Sequence, residues 1–253
     1  QKAFAEADAG EPFVETDGVV VGLRAVKDRY EIARMRGAQS ITDAAFEHIV
    51  RYMRPGMMER QVQLELEEFM LRHGAQGLAF PSIVATGPNG ASPHAIPGAT
   101  MLEAGQCVVL DFGARSYGYC SDMTRTFFWG EPDEETARIY NIVRRANEAA
   151  EALIAPGVRM CDLDRAARDV IEDAGYGKYF THRLGHSIGP QDHEPGDVSL
   201  ANEQVVEPGM TFSIEPGIYL PGRTGVRIED LALVTESGVE ILNAYPHDPV
   251  RLD

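Results

Sequence analysis

The chain has 253 residues, 44% of them hydrophobic and 25% charged, with 23 Lys and Arg against 39 Asp and Glu for a net charge of −16. That composition can bury a core and excludes intrinsic disorder, while apolar runs such as 107–110 and 231–234 fall far short of the ~20 residues a membrane span needs. With no Lys/Arg cluster to offset it, the acidic balance opposes phosphate backbones and anionic lipid, so neither nucleic acid nor a membrane is expected as a partner.

Cys107, Cys120 and Cys161 are scattered, with no C-x-x-C spacing. This argues against a disulfide framework or a thiolate zinc site, and a reducing, cytoplasmic location is expected. The opening QKAFAEADAGEPFVETDG is polar and acidic, has no initiator Met and carries no signal-peptide pattern. Residues 1–22 therefore read as a linker or the end of a missing N-terminal domain, and 23–253 as the main domain.

In chain order, Ile32, Met35, Ile41, Ala45, Phe46, Ile49, Val50 and Met53 have helical spacing, and Pro55-Gly56 stops the run. A second helical stretch through Val62, Leu66, Phe69 and Met70 ends at His73-Gly74. Residues 77–87 read as a strand, 88–100 as a turn-rich loop, and 103–114 as an alternating strand. The order then recurs. A helix through Ile139, Ile142, Val143, Ala146, Ala150 and Leu153 stops at Pro156-Gly157, and a shorter one through Leu163, Ala166, Val170 and Ile171 stops near Gly175. A strand and a His-rich loop then lead to EPGMTFSIEPGIY. Pro55/Pro156, Gly56/Gly157 and Gly74/Gly175 are each 101 apart. Glu103-Ala-Gly105 with Asp111 matches Glu207-Pro-Gly209 with Glu215. A repeat this long indicates a duplicated α/β unit within one pseudo-symmetric domain.

Turn signals at 115–118 make 108–127 a hairpin, in which Asp111 and Asp122 are expected to face each other. Glu215 and Glu229 are symmetric about Gly222 in the second hairpin. Opposed like charges are destabilising across a strand pair, and the flanking residues are apolar, so four carboxylates gather where unpaired charge is costly. Two divalent cations would balance them; solvent-facing carboxylates, or pairing with Arg125 or Arg227, is the plainer alternative. His182, His186 and His193 lie in one Gly-rich segment, with His94 at the corresponding place in the first half. A neutral imidazole among oxygen ligands suits Mn, Zn, Co or Fe better than Ca.

From LRAVKDRYEIARMRGA through PHAIPG, LDFGARSYGYCSDMTRTF, GHSIGPQDHEP, SIEPGIY and GVRIEDLALVTESGVEIL, residues 23–243 resemble the pita-bread metallopeptidases. Within these they resemble the Xaa-Pro peptidases, aminopeptidase P and prolidase. The resemblance implies an α+β fold with pseudo-twofold duplicated halves around a curved antiparallel sheet. It implies that Asp111, Asp122, His186, Glu215 and Glu229 bind two divalent metal ions, usually Mn²⁺ or Co²⁺, with Zn²⁺ an option. It further implies that His94, His182, His193, Tyr219 and Arg227 bind or frame a proline-containing peptide. Glu215 would shuttle the proton, His193 would stabilise the oxyanion and His94 would hold the substrate. The implied activity is hydrolysis of the N-terminal Xaa-Pro bond, as in aminopeptidase P, with dipeptides also accepted, by a homodimer. A strict Xaa-Pro dipeptidase is the alternative, with methionine aminopeptidase, a metal-free creatinase-like hydrolase and a non-enzymatic binding protein further back. The chain departs from its relatives at His186-Ser and at Pro190-Gln-Asp, and has Asp197 where several prolidases place a carboxylate-clamping Arg. An Asp there would repel a dipeptide carboxylate, which favours longer peptides.

Overall fold

The computed structural model describes residues 17–252, so the 1–16 part of the expected linker lies outside the described residues. Helix α1, Asp17–Ala25, contains the expected 22/23 boundary. Helix α2, Arg29–Tyr52, is started by Asp28, whose carboxylate accepts from the Tyr30 and Glu31 amides while Glu31 accepts from the Asp28 amide. This reciprocal cap satisfies donors that a helix end leaves orphaned. Helix α3, Glu59–Arg72, follows. The first half continues with β1 (Gly77–Leu78), β2 (Ile83–Thr86), β3 (Cys107–Phe112), β4 (Ala114–Ser116), β5 (Tyr119–Cys120) and β6 (Met123–Trp129). The stretch read as one strand at 77–87 is split at Phe80-Pro81, and its two pieces pair with different partners, β1 with β4 and β2 with β3.

The second half opens with α4, Glu134–Leu153, capped by Asp133, and α5, Met160–Asp173. It continues with β7 (Gly185–Ser187), β8 (Glu194–Val198), β9 (Thr211–Ile214), β10 (Gly217–Leu220), β11 (Thr224–Arg227), β12 (Asp230–Thr235) and β13 (Gly238–Ile241), and β14 (Arg251–Leu252) returns to the first half. The repeat is real in three dimensions. Both ends of α3 and α5 are 101 residues apart. Gly56/Gly157, Gly74/Gly175 and Gly105/Gly209 all take positive φ, a conformation that selects glycine at matching turns.

Each half packs its helices on its own sheet. In the first, Phe46, Ile49, Val62 and Leu66 of α2 and α3 meet Val108, Leu110 and Phe127 of the β14-β6-β3-β2 sheet. In the second, Ile139, Val143, Leu163 and Ala167 of α4 and α5 meet Phe212, Ile214 and Ala232 of the β13-β12-β9-β7-β8 sheet. The sheets join at an antiparallel bridge between Thr124 and Glu229, where the Glu229 amide donates to the Thr124 carbonyl at 3.0 Å. Among the described residues, no helix is long and apolar enough to cross a membrane.

The two hairpins differ in register. In the second, Ile214 pairs with Asp230 and Gly217 with Arg227, so Glu215 and Glu229 occupy matching positions between those pairs, as expected. In the first, Asp111 pairs with Thr124 and Ser116 with Tyr119. Asp122 is therefore diagonal to Asp111 rather than opposite it, contrary to expectation. The turn sits at Tyr117-Gly118, both at positive φ, one residue later than the midpoint of the two acids suggests. Such a two-residue turn matches the natural twist of a hairpin.

Candidate metal centre and substrate cleft

A cleft of about 780 Å³ lies between the halves, and all five expected ligands line it, together with His94, His182, His193 and Arg227. Asp111 lies near the end of β3, Asp122 just before β6, His186 in the middle of β7, Glu215 just after β9 and Glu229 just before β12. Strand ends thus deliver each carboxylate to one floor. Candidate ligand atoms of Asp122, His186 and Glu229 lie within 4.8 Å of one another.

His186 Nδ1 sits 3.2 Å from the Ser187 carbonyl, which places the proton on Nδ1 and leaves Nε2 a bare lone pair. That lone pair is 3.6 Å from Asp122 Oδ2 and 3.5 Å from Glu215 Oε1. Burial, with His193 close by, pushes the His186 pKa down to about 3, so these contacts are not ion pairs at neutral pH. Two acids and a bare imidazole nitrogen thus face one another with no cation among them. Asp122 Oδ1 is also buried without a hydrogen-bond partner among the described residues. An oxygen-rich donor set with one imidazole, short of donors and of positive charge, fits borderline divalent cations.

The electrostatics agree. Burial pushes the Asp122 carboxyl well above its ordinary range, and Glu229, Asp111 and Glu215 push it further. Glu229 is raised well above its ordinary value by burial, then by Glu215 and Asp111. Glu215 is raised to about 7 by burial, against the pull of Arg227. Asp111 is raised less, because burial is opposed by Arg227, which donates to its carboxylate.

Arg227 also donates to Tyr219 Oη at 2.9 Å, to Thr124 Oγ1 at 3.1 Å and to the Pro93 carbonyl at 3.2 Å, next to His94. Tyr219 Oη lies 3.0 Å from His182 Nε2, and His182 Nδ1 lies 2.7 Å from the Arg183 carbonyl. Burial holds Tyr219 up at about 12 and His182 down at about 4, so both are neutral. A single directed chain therefore runs from the guanidinium through Tyr219 to His182, fixing the ring's tautomer. His193 packs against His186, ring centroids 3.8 Å apart and planes tilted by 38°. Of the alternative pairings, Arg227 takes Asp111 whereas Arg125 takes none of the four acids and pairs with Asp230.

Several supporting residues escaped sequence reasoning. Thr124 Oγ1 donates to Glu229 Oε2 at 2.6 Å, and Ser213 Oγ donates to Glu215 Oε1 at 3.2 Å while accepting from the His186 amide. Both lie two residues from a ligand on the same strand face, a period-two signal that was available. Arg125 Nη1 donates to the Glu229 carbonyl at 2.6 Å, and Asn243 Nδ2 to the Asp122 carbonyl at 3.0 Å. Asn243 Oδ1 also accepts from the Leu231 amide, so it ties the two hairpins together from behind. Asp197, expected to face the substrate, is not among the cleft-lining residues. Half-buried on β8, it lies across from His186.

With this geometry in place, the sequence comparison is decisive: the profile of metallopeptidase family M24 matches residues 33–236. The chain belongs to metallopeptidase family M24. An uncharacterized peptidase of Staphylococcus aureus is 43% identical over 233 residues, covering 92% of this chain and 66% of that protein. An Xaa-Pro dipeptidase from Bacillus anthracis superposes with a TM-score of 0.93 at 44% identity, over 95% of this chain and 68% of that one. An X-Pro aminopeptidase from Thermotoga maritima gives 0.94 at 37% identity, over 99% and 71%. The chain thus spans about two thirds of the length of these M24 relatives. The likeness also establishes the α+β pita-bread fold.

The raised carboxyls give a stability prediction for the metal-free M24 site. A carboxyl held high in the folded protein binds more protons folded than unfolded, so it costs stability as pH rises from its unfolded towards its folded pKa. Histidines held low act oppositely, and their contribution, complete above pH 6.5, is lost as pH falls through the folded values of about 4 and 3. Between pH 6.5 and 8 those two histidines no longer contribute and the raised carboxyls act, Glu151 outside the site, at about 8, adding to Glu215. Urea unfolding of chelator-treated protein should show a loss of about 1 kcal/mol over that interval from Glu215 alone. Unchanged or rising stability would mean that the four acids are not buried together.

Proposed function

We propose that this chain, with 23–253 as its catalytic unit, is a cytoplasmic exopeptidase that hydrolyses the N-terminal Xaa-Pro bond of peptides at a site holding two divalent ions. The observation that carries this reading is the gathering of Asp122, Glu215 and Glu229 about a neutral His186, with Asp111 lining the same cleft and Asp122 Oδ1 unpartnered among the described residues. Asp111, Asp122, His186, Glu215 and Glu229 would hold the ions, with Mn²⁺ the first candidate and Co²⁺ or Zn²⁺ the others. When bound, such ions acidify water and polarise a carbonyl.

The chain's own groups do the rest. Glu215, at the floor of the cleft, would take the proton from the attacking water and return it to the proline nitrogen as the bond breaks. Arg183 Nη2 lies 3.3 Å from His193 Nδ1, which leaves Nε2–H of His193 free to donate to the oxyanion. Burial lowers the His193 pKa, keeping the ring neutral at working pH. Arg227, through Tyr219, orients His182 along the substrate, and His94, also in the cleft lining, would hold the substrate. Replacing His193 with Ala should lower kcat about 10²-fold or more while leaving Mn²⁺ affinity unchanged. Steady-state kinetics alongside calorimetry would check this, and an unchanged kcat would remove His193 from the reaction.

The position of Asp197 removes the argument against dipeptides, so the proposed substrate range includes both Xaa-Pro and Xaa-Pro-Xaa, with a strict dipeptidase as the second reading. The homodimer belongs to the proposal through the family resemblance, and the cytoplasmic location through three unpaired cysteines, two of them buried. The test is hydrolysis of Ala-Pro and Ala-Pro-Ala by metal-stripped protein with and without Mn²⁺. Cleavage that requires the metal supports the reading; no cleavage of either by folded, Mn²⁺-loaded protein overturns it.

A further inference from the structure

A lysine is almost never fully buried without a partner, because its ammonium is costly to take out of water. Lys27 lies on the short connector between α1 and α2, and its side chain is 0% exposed. Its Nζ is 3.3 Å from Glu194 Oε2, and the only other acceptor it reaches among the described residues is the Ala25 carbonyl at 3.4 Å. Glu194 is as deeply placed, with a side chain 2% exposed, and Arg24 of α1 donates to its other oxygen. Burial pushes the Lys27 pKa below its ordinary value and Glu194 pulls it back, so the charge on the ammonium depends on this carboxylate.

Both ends of the pair are anchored. The Lys27 amide donates to the Gly209 carbonyl at 2.8 Å, beside an antiparallel bridge between Val26 and Met210. The Glu194 carboxylate fills the space that a side chain at Gly189 would need, since a Cβ there would lie 2.9 Å from each of its oxygens. Neither partner lines the cleft, and neither is a candidate ligand, so the proposed reaction leaves this buried ion pair unused.

The place of Glu194 in the sheet supplies a use. It opens β8 opposite Ser187 of β7, and its neighbours in sequence and across the pair are His193 and His186. Paired residues share a face and successive residues alternate between faces. With Glu194 drawn into the protein, His193 is turned the other way, into the cleft beside His186, and the two ring centroids are 3.8 Å apart. Beyond that packing, the His193 ring has one polar side-chain contact, Arg183 Nη2 at 3.3 Å.

We propose that the Lys27–Glu194 ion pair positions His193, pinning the start of β8 from behind so that the ring stays against His186 and aimed at the developing oxyanion. Both are positioning residues, and neither touches the substrate. The proposal rests on the peptidase reading above for the role of His193 in the reaction, but the contact between the two rings is measured apart from it.

The test uses K27M, which leaves Glu194 with Arg24, and E194Q, which keeps the shape and removes the charge. K27M/E194Q, which strands no buried charge, is measured beside them and should show the same losses. On Mn²⁺-loaded protein each variant should lower kcat for Ala-Pro-Ala about tenfold or more, with KM and the calorimetric Mn²⁺ affinity within about twofold of the parent, because a displaced group costs rate rather than binding. H193A/K27M should be no slower than H193A, since a residue that acts through another adds nothing once that one is gone. In metal-stripped protein, proton NMR should show a nuclear Overhauser contact between the His186 and His193 rings in the parent and its loss in the variants. Parent-like kcat in the folded variants, losses in K27M and H193A that multiply, Mn²⁺ affinity that falls as far as kcat, or a ring contact that survives would each overturn the assignment. Loss of the ring contact in the variants, with no hydrolysis by the parent, would support the positioning while refuting the proposed reaction.

Discussion

Asp122→Asn is expected to lower kcat/KM by on the order of 10³-fold or more, while making the metal-free protein more stable. Both effects come from one arrangement. Asp122 is 3% exposed, one oxygen lacks a partner among the described residues, and three further acids raise its pKa beyond what burial does. An uncompensated buried charge costs several kcal/mol, so an uncharged amide of the same shape should relieve about 1 to 3 kcal/mol of it. The same change removes a ligand charge that two divalent ions would require. Urea unfolding of chelator-treated protein and Mn²⁺-dependent hydrolysis, measured on the one variant, check the pair. Activity close to that of the parent would show that Asp122 holds no ion. Lost activity with a less stable metal-free protein would mean that the carboxylate serves the fold rather than the metal.

The opposite signs of those effects explain why this site could be read from the sequence. A residue that helps the fold leaves a pattern shared with thousands of cores, whereas four acids among Val108, Leu110, Phe212 and Leu231 break the pattern. The helices were legible for the more ordinary reason that α2 to α5 carry 3.6-residue periodicity, with Pro-Gly shortly after α2 and α4 and a glycine after α3 and α5. The 101-residue repeat was legible because Gly56/Gly157 and Gly74/Gly175 need the same backbone conformation.

What stayed hidden lies in register and in contacts distant along the chain. The midpoint of Asp111 and Asp122 was a poor guide to a turn that Tyr117 and Gly118 place one residue later. Asp197 was misplaced because β8 shifts register against β7. Ser187 pairs with Glu194 but His186 with Asp197, so Pro195 and Gly196 are extra, and residues counted on from His193 do not continue along the cleft. Arg125 and Asn243 bond to residues more than 100 positions away, and no local spacing signals such a partnership.

Arg125→Ala should be the most destabilising single change behind the site. The guanidinium is 2% exposed and donates to the Asp230 carboxylate at 2.7 Å and to the carbonyls of Glu229 and Tyr245 at 2.6 Å each. Its removal leaves Asp230, 1% exposed, without its guanidinium partner, facing the His247 ring and the Glu151 carboxyl. Breaking a buried pair in this way costs about 3 to 5 kcal/mol, so thermal unfolding should shift down by roughly 10 °C. The backbone of Glu229 loses its anchor in the same step, and a ligand whose supporting bonds are cut typically loses 10- to 100-fold in metal affinity. Asp230→Asn in the same chain removes the stranded charge and should recover much of the stability, because the two residues share one interaction. It cannot restore the bond to the Glu229 carbonyl. The double variant should therefore unfold nearer the parent temperature and still bind Mn²⁺ weakly. Recovery of both properties together would place the role of Arg125 entirely in neutralising Asp230, with none in aiming Glu229.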